Sequence, residues 1–363
     1  MIELAHGNLL EADADALVNT VNCVGYMGKG IALQFKQAFP DNFRTYEAAC
    51  RHGSMVPGRV LVHDYGVLQR PRYIINFPTK NHWRAKSRME DIESGLAALV
   101  QAVREHDIRS IAVPPLGCGL GGLNWSDVRP RIEAAFTELP GVHVHLYGPE
   151  KTPAARAMPV RTDPPRMTPA RALFIKLMDA YAVLDYRRTL LEIQKLAYFL
   201  QAAGEPLKLN YEAGRYGPYA HNLNKVLERL EGHLIRGYGD SQKKDAEIEL
   251  LPGAVGAADA FLNQDSESRI RLRRVGELIE GFETPYGMEL LATVHWVGTQ
   301  PGASGGPPVQ DVESATRAVH RWNARKQWIF TPEHIRTAWD HFSRLGWLSA
   351  ARTTPGHGPL LDG

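Results

Sequence analysis

The 363-residue chain has only three cysteines, Cys23, Cys50 and Cys118. Their wide, unpatterned spacing excludes a disulfide framework and a cysteine-based zinc site, and a reducing cytoplasm is the expected home. No charge sign dominates: 42 lysines and arginines stand against 40 aspartates and glutamates. That balance excludes a generally polycationic nucleic-acid binder, so any contact with DNA must come from a local patch. No apolar run approaches the length needed to span a membrane, and the residues from Met1 to Asn8 lack a signal peptide's basic-then-apolar pattern. No membrane partner is expected. Internal repeats are absent too.

Glycine, in contrast, is concentrated where it can matter. An apolar strand from Ala16 to Val21 runs into Asn22 and a turn holding Gly25, Gly28 and Gly30, followed by a helical pattern from Ile31 to Ala38. About ninety residues on, a strand from Ser110 to Val113 leads into a loop with Leu116, Gly117, Cys118, Gly119, Leu120 and Gly121, and then a helix over 126–139. Strand, glycine loop and helix N-terminus in that order offer unpaired backbone N–H groups and a positive dipole end to an anion. Two such loops facing one cleft suit a diphosphate.

Up to about residue 148, strand-like and helical segments alternate. Further strands are expected over 2–5, 59–63, 73–77 and 143–147, and helices over 42–50 and 89–105. In the last of these, Ile92, Leu96, Leu99, Val100 and Val103 form one apolar stripe. Alternation of this kind predicts a three-layer α/β/α domain over 1–150, with ligands bound beyond the strand ends. Six prolines between 149 and 170 mark a basic, mostly extended linker, assigned to 151–168. From 169 to 363 the pattern is mostly α-helical. A strongly amphipathic helix is expected over 190–201, Thr331 and Pro332 start another, and a flexible excursion over 300–308 and a disordered tail over 353–363 are expected. The stretch 245–289 carries ten acidic residues and four arginines, either an interaction face or a solvated helix surface. Tyr211, Arg215, Tyr216, Tyr219 and His221 read as a loop packing aromatics between helices, with no chemistry.

Lys80 follows the strand at 73–77 and a stiffening proline, which lets its amine project at the strand ends. An ammonium there can stabilise negative charge on a leaving group or donate a proton. Uncharged, it could instead attack an anomeric carbon or opened aldehyde and form a Schiff base, or it could simply contact a phosphate, and the residues leave these roles open. Lys80, His82, Trp83, Arg84, Lys86 and Arg88 make a compact basic patch with a stacking ring, either suited to a single DNA strand or a solvated loop with Trp83 packed on the helix from Met89. Cys118 has no residue positioned to activate it and reads as an inert loop residue. His63, His143 and His145 read as structural histidines, with no metal spacing and no cofactor expected.

Gly7 and Asn8 after the first strand, the run from Val18 to Asn22, the Gly28–Gly30 turn and the loop from Pro114 to Trp125 together resemble the macrodomain family of ADP-ribose-binding α/β/α proteins. The stretch from Asn76 to Arg84 is similar to the DarG branch, antitoxins that remove ADP-ribose from thymine in single-stranded DNA modified by the DarT toxin. Two stretches, 195–200 and 215–221, resemble the helical antitoxin module called Panacea. The resemblance implies a DNA ADP-ribosyl glycohydrolase with Lys80 catalytic, ADP-ribose as product, and a second domain that binds the cognate DarT toxin. It implies an ADP-ribose site of Asn8, Leu9, Thr20, Asn22, Gly28, Lys29, Gly30, Ile31, Thr79 and the loop from Leu116 to Gly121, with Asn22 on the distal ribose hydroxyls. Many macrodomains have an aspartate where this chain has Asn8, so adenine binding is expected to survive without a charge. Related glycohydrolases pair their lysine with an aspartate where this chain has Gly121, so that couple is not carried over. Two other functions stay open: a reader that holds ADP-ribose and neutralises the toxin by contact alone, and an ADP-ribose 1″-phosphatase.

Overall fold

A computed structural model describes the chain except for residues 150–157, 182–187, 240–245, 302–306 and 349–363. The expected excursion falls partly, and the tail wholly, outside the described residues. The chain forms two compact units, one of residues 1–165 with 227–246, the other of 166–226 with 247–363.

The first unit is built on a six-stranded sheet. In chain order its elements are β1 (Ile2–Ala5), β2 (Ala16–Val21), α1 (Gly30–Ala38), α2 (Pro40–Arg51), β3 (Leu61–Asp64) and β4 (Tyr73–Pro78). They continue with α3 (Met89–Glu105), β5 (Ser110–Val113), α4 (Trp125–Thr137) and β6 (His143–Tyr147). The strands lie in the order β1-β6-β5-β2-β4-β3, all parallel to their neighbours except β3, which runs antiparallel to β4. Side chains alternate across each strand. On β2, Ala16 and Val18 join the core formed with α3 and α4, around Phe77, Leu99, Ile111 and Ile132. Leu17, between them, points to the opposite core beside Phe35 and Ala38 of α1. Both faces are therefore covered, which is why these strands read as near-continuous apolar runs. On α3, a Cβ at Gly95 would lie 2.3 Å from the Phe77 ring, so glycine there lets the helix settle directly onto β4. The three-layer α/β/α architecture expected from the sequence is the one observed.

The second unit is mostly helical: α5 (Pro169–Tyr181), α6 (Leu190–Ala202), a hairpin of β7 (Tyr211–Gly214) and β8 (Gly217–Ala220), then α7 (Leu223–Leu230), which runs on into the first unit. After it come α8 (Ala254–Leu262), α9 (Ser266–Ile279), α10 (Pro285–Thr299), α11 (Val312–Trp322), α12 (Ala324–Ile329) and α13 (Pro332–Leu345). Thr331 caps α13 as expected, its hydroxyl accepting from the His334 N–H. Two expectations are corrected. The helix at 190–201 is not amphipathic, because every residue from Glu192 to Leu200 is buried. Its polar members are satisfied inside: Gln194 bonds both backbone groups of Ala220, and Lys195 donates to the Pro218 carbonyl at 2.7 Å. The aromatic stretch around 211–220 is a two-stranded hairpin rather than a loop, turned at Arg215 and Tyr216 with Gly217 at φ +95°. Within 245–289, Glu289 is buried on Lys326 and Arg325, and Glu267 pairs with Arg271, so part of that acidic stretch is neutralised internally. No helix among the described residues is long and apolar enough to cross a membrane.

Candidate active site

Because β1, β6, β5, β2 and β4 are parallel, the loops after β1, β2, β4 and β5 all leave the same edge of the sheet. Backbone hydrogen bonds fasten three of them into one rim. Thr79 N–H donates to the Val21 carbonyl at 3.0 Å, Cys23 N–H to the Asn81 carbonyl at 3.1 Å, and Ser87 N–H to the Gly121 carbonyl at 3.1 Å. The segment carrying Lys80 thus lies between the two glycine loops and is tied to both. Lys80 is half-buried and donates to the Trp83 carbonyl at 3.2 Å. Burial, then repulsion from Lys86, holds its ammonium below the usual lysine range, towards the neutral form.

The first loop is shaped by Asn22. Its side-chain oxygen accepts from the Val24 N–H at 3.0 Å, and its amide donates to the Tyr26 carbonyl at 2.6 Å. Tyr46 of α2, fully buried, donates its hydroxyl to the Asn22 carbonyl at 2.8 Å and holds the loop from below. Asn22 is therefore built into the turn itself, with its side chain buried. A Cβ on Gly28 would lie 2.4 Å from the Tyr26 ring, so any side chain there requires that ring to move. Lys29 and Gly30 follow, with Gly30 opening α1 at φ +59° and Ile31 packed towards the α1 core. The N–H of Gly30 donates to the carbonyl of Gly239 at 2.8 Å, and the Lys29 ammonium lies 5.1 Å from the centre of the Tyr238 ring.

In the second loop Gly117 adopts φ +72°. A Cβ at Gly121 would fall 2.2 Å from the Ser87 hydroxyl and 2.3 Å from the Gly117 carbonyl, so no aspartate fits there. Leu116 is buried, Gly119 and Leu120 are exposed, and burial pushes the Cys118 thiol up to about 11. A thiol held neutral in that way is a poor nucleophile. After β1, the Asn8 side chain accepts from the Leu10 N–H at 3.1 Å and opens a short turn, while the Leu9 side chain sits in the core. Leu9 and Leu116 can offer a ligand only backbone. Thr20, half-buried, is the penultimate residue of β2, and Thr79 is buried just past β4.

The expected DNA-contacting residues lie together on the surface. His82 and Trp83 rings are 5.2 Å apart, Tyr26 is 5.6 Å from Trp83, and the Arg84 guanidinium sits 4.5 Å over the Trp83 ring. Lys86 is exposed, its ammonium close to Gly122.

Two features escaped the sequence reading. Asn19 of β2, Asn76 of β4 and Asn42 of α2 form a buried amide ladder, with Asn19 donating to Asn76 at 3.0 Å and Asn76 to Asn42 at 2.7 Å. It locks the strands beneath the Asn22 and Lys80 loops in register. The signal was present, since Asn19 and Asn76 each lie two residues before their strand ends. Separately, Glu3 on β1 reaches His145 Nδ1 at 2.7 Å and His143 Nε2 at 3.3 Å, one group of potential metal ligands at the sheet edge, away from the rim.

A family model of the Macro domain matches residues 18–132. The DNA ADP-ribosyl glycohydrolase of Thermus aquaticus is 48% identical over 349 residues, which cover 96% of this chain and 94% of that protein. The DNA ADP-ribosyl transferase–DNA ADP-ribosyl glycohydrolase fusion protein of Thermosipho africanus is 34% identical over 163 residues, 41% of this chain and 42% of its own. Among solved structures, the macrodomain of Thermus aquaticus DarG shares 57% identity over 41% of this chain and 99% of its own, with a TM-score of 0.40. With such identity along nearly the full length of both chains, the protein belongs to the DNA ADP-ribosyl glycohydrolase family of macrodomain proteins.

Proposed function

We propose that the chain hydrolyses the N-glycosidic bond joining ADP-ribose to thymine in single-stranded DNA, and so acts as an antitoxin that reverses the DarT toxin's modification. The observation that carries this reading is the position of Lys80, on a segment bonded to both glycine loops. Those loops offer backbone N–H groups and close approach to a diphosphate. Thymine would lie over the Trp83 surface, with Arg84 and Lys86 on the strand's phosphates. In the reaction the anomeric carbon–nitrogen bond breaks, water adds to that carbon, and thymine leaves with the electron pair and gains a proton. Lys80 stabilises the charge on the leaving base or supplies its proton, and the burial that disfavours its ammonium makes that proton easier to give up. The absence of room at Gly121 leaves no carboxylate partner for it in that loop.

The second unit is read as the part that binds the DarT toxin, in a cytoplasmic antitoxin. The fusion of transferase and glycohydrolase in the Thermosipho relative supports a functional pairing of the two activities. The test is a single-stranded oligonucleotide carrying ADP-ribosyl-thymine, incubated with the full chain and its Lys80→Ala variant. Release of ADP-ribose by wild type alone supports the reading. If neither releases it while both bind ADP-ribose, the protein is a reader. Phosphate release from ADP-ribose 1″-phosphate, without action on DNA, would make it a phosphatase.

A further inference from the structure

Residues 227–239 follow the helical unit's hairpin in the chain but pack with the first unit, and their contacts converge on the first glycine loop. The Tyr26 hydroxyl donates to the Glu228 carboxylate. A Cβ on Gly28 would fall 2.6 Å from that same carboxylate. The Gly30 N–H, the first donor of α1, is taken by the Gly239 carbonyl at 2.8 Å, and Lys29 lies over the Tyr238 ring. Further along α1, Gln37 donates to the Glu231 carbonyl at 2.7 Å.

The segment is held in this pose by bonds within it and by bonds to residues 158–162. The buried Glu231 carboxylate accepts from the Gly237 and Tyr238 N–H groups at 3.0 and 3.1 Å, which fixes the turn that ends in the Gly239 carbonyl. Arg236 donates to the Met158 carbonyl at 3.2 Å, and the Thr162 hydroxyl lies 2.8 Å from His233 Nε2.

A carboxylate and a backbone carbonyl are oxygen acceptors, as phosphate oxygens are. Here the Gly239 carbonyl sits on the Gly30 N–H and the Glu228 carboxylate on the Tyr26 hydroxyl, within the loop whose backbone N–H groups the proposed function gives to the diphosphate. Glu228 also offsets the charge of Lys29, whose ammonium is disfavoured by burial. We propose that residues 227–239 are a built-in competitor for the first glycine loop: Glu228 and Gly239 occupy its anion-binding face, and an ADP-ribosyl ligand must displace them to bind. The inference rests on the reading of this rim as an ADP-ribose site.

A ligand that binds only the open form sees its affinity reduced by the fraction of molecules that are open. If about one molecule in ten is open, removing the competitor strengthens binding about tenfold. The experiment is calorimetric titration of the full chain with ADP-ribose, comparing wild type, Glu228→Ala and Glu231→Gln. The first variant removes the competing carboxylate. The second loosens the turn that presents Gly239, at a residue bonded within the segment. Circular dichroism melts verify that each remains folded. Tighter binding in both, by about tenfold, with faster amide exchange at Gly30, supports the competitor. Unchanged binding in both folded variants overturns it, and weaker binding in Glu228→Ala overturns it by making Glu228 a ligand contact. If no protein binds ADP-ribose, the reading of the rim itself fails and the competitor with it.

Discussion

Each unit holds a lysine whose ammonium is disfavoured by burial, and their surroundings differ. Lys195 of α6 is 1% exposed, and burial together with the charge of Lys326 pushes it down to about 7. It donates to the Pro218 carbonyl within a packed interior. Lys80 is shifted in the same direction, by burial and Lys86, but it stands half-buried on a rim between glycine loops. Ranked by perturbation alone, Lys195 would be the stronger catalytic candidate. Geometry reverses the order, because a reacting group needs room for a substrate as well as a shifted pKa. The buried cations of the helical unit belong to a structural network in which Lys326 donates to Glu289 at 2.8 Å and Thr293 at 2.9 Å.

The largest effects are expected at these lysines. Lys80→Ala is expected to lower ADP-ribose release from modified DNA by about 10²–10⁴-fold with ADP-ribose binding changed by only a few-fold, read by single-turnover assay and titration. If a folded Lys195→Met variant loses activity to a similar extent, the contrast between the two sites is wrong. Glu289→Ala strands the buried Lys326 and the neighbouring Arg325 without their carboxylate, a loss of about 3–5 kcal/mol. Urea melts should show that loss in the helical unit, with Lys80-dependent hydrolysis persisting at temperatures where the variant is folded. Trp83→Ala separates nucleobase contact from ADP-ribose binding within the rim. It should weaken binding of modified oligonucleotide by about 1–3 kcal/mol and leave free ADP-ribose binding nearly unchanged, measured by fluorescence anisotropy and calorimetry.

Much of this was legible in the chain. Strands such as β2 and β4 are apolar on both faces, and α3 carries one clean stripe, so the α/β/α alternation follows from local pattern. The glycine loops and Lys80 occupy short contiguous stretches, and their resemblance to macrodomains supplied roles that spacing alone left open. What escaped notice depends on distant partners. Polar residues on α6 suggest an exposed face until Ala220 and Pro218 are seen to satisfy them. Glu228 and Gly239 meet the first glycine loop from about 200 residues away, and no local pattern marks that contact. Glu3 likewise meets His143 and His145, residues far from it in the chain.

The smallest expected effect is also the one that separates the units by sign. Glu231, in the first unit, is pushed up to about 7 by burial, against the backbone N–H groups and Arg236 that favour its charge. An acid raised in the folded state contributes most below its unfolded value of 4.5, and that contribution is lost as pH rises towards 7. His295, buried in the second unit with its Nδ1 2.8 Å from the Tyr198 hydroxyl, is pushed down to about 4. A base lowered in the folded state contributes fully above its unfolded value of 6.5, and that contribution is lost as pH falls towards 4. Between pH 4.5 and 6.5 these two contributions therefore move oppositely, each by on the order of 1 kcal/mol once relaxation of the buried groups is allowed for. Hydrogen exchange, corrected for intrinsic rates, should show amides near Gly237 gaining protection towards pH 4.5 and those near Phe199 losing it. Glu231→Gln should flatten the first trend and leave the second. If one variant flattens both, the two units unfold as a single cooperative body, and the independence on which the comparison rests is lost.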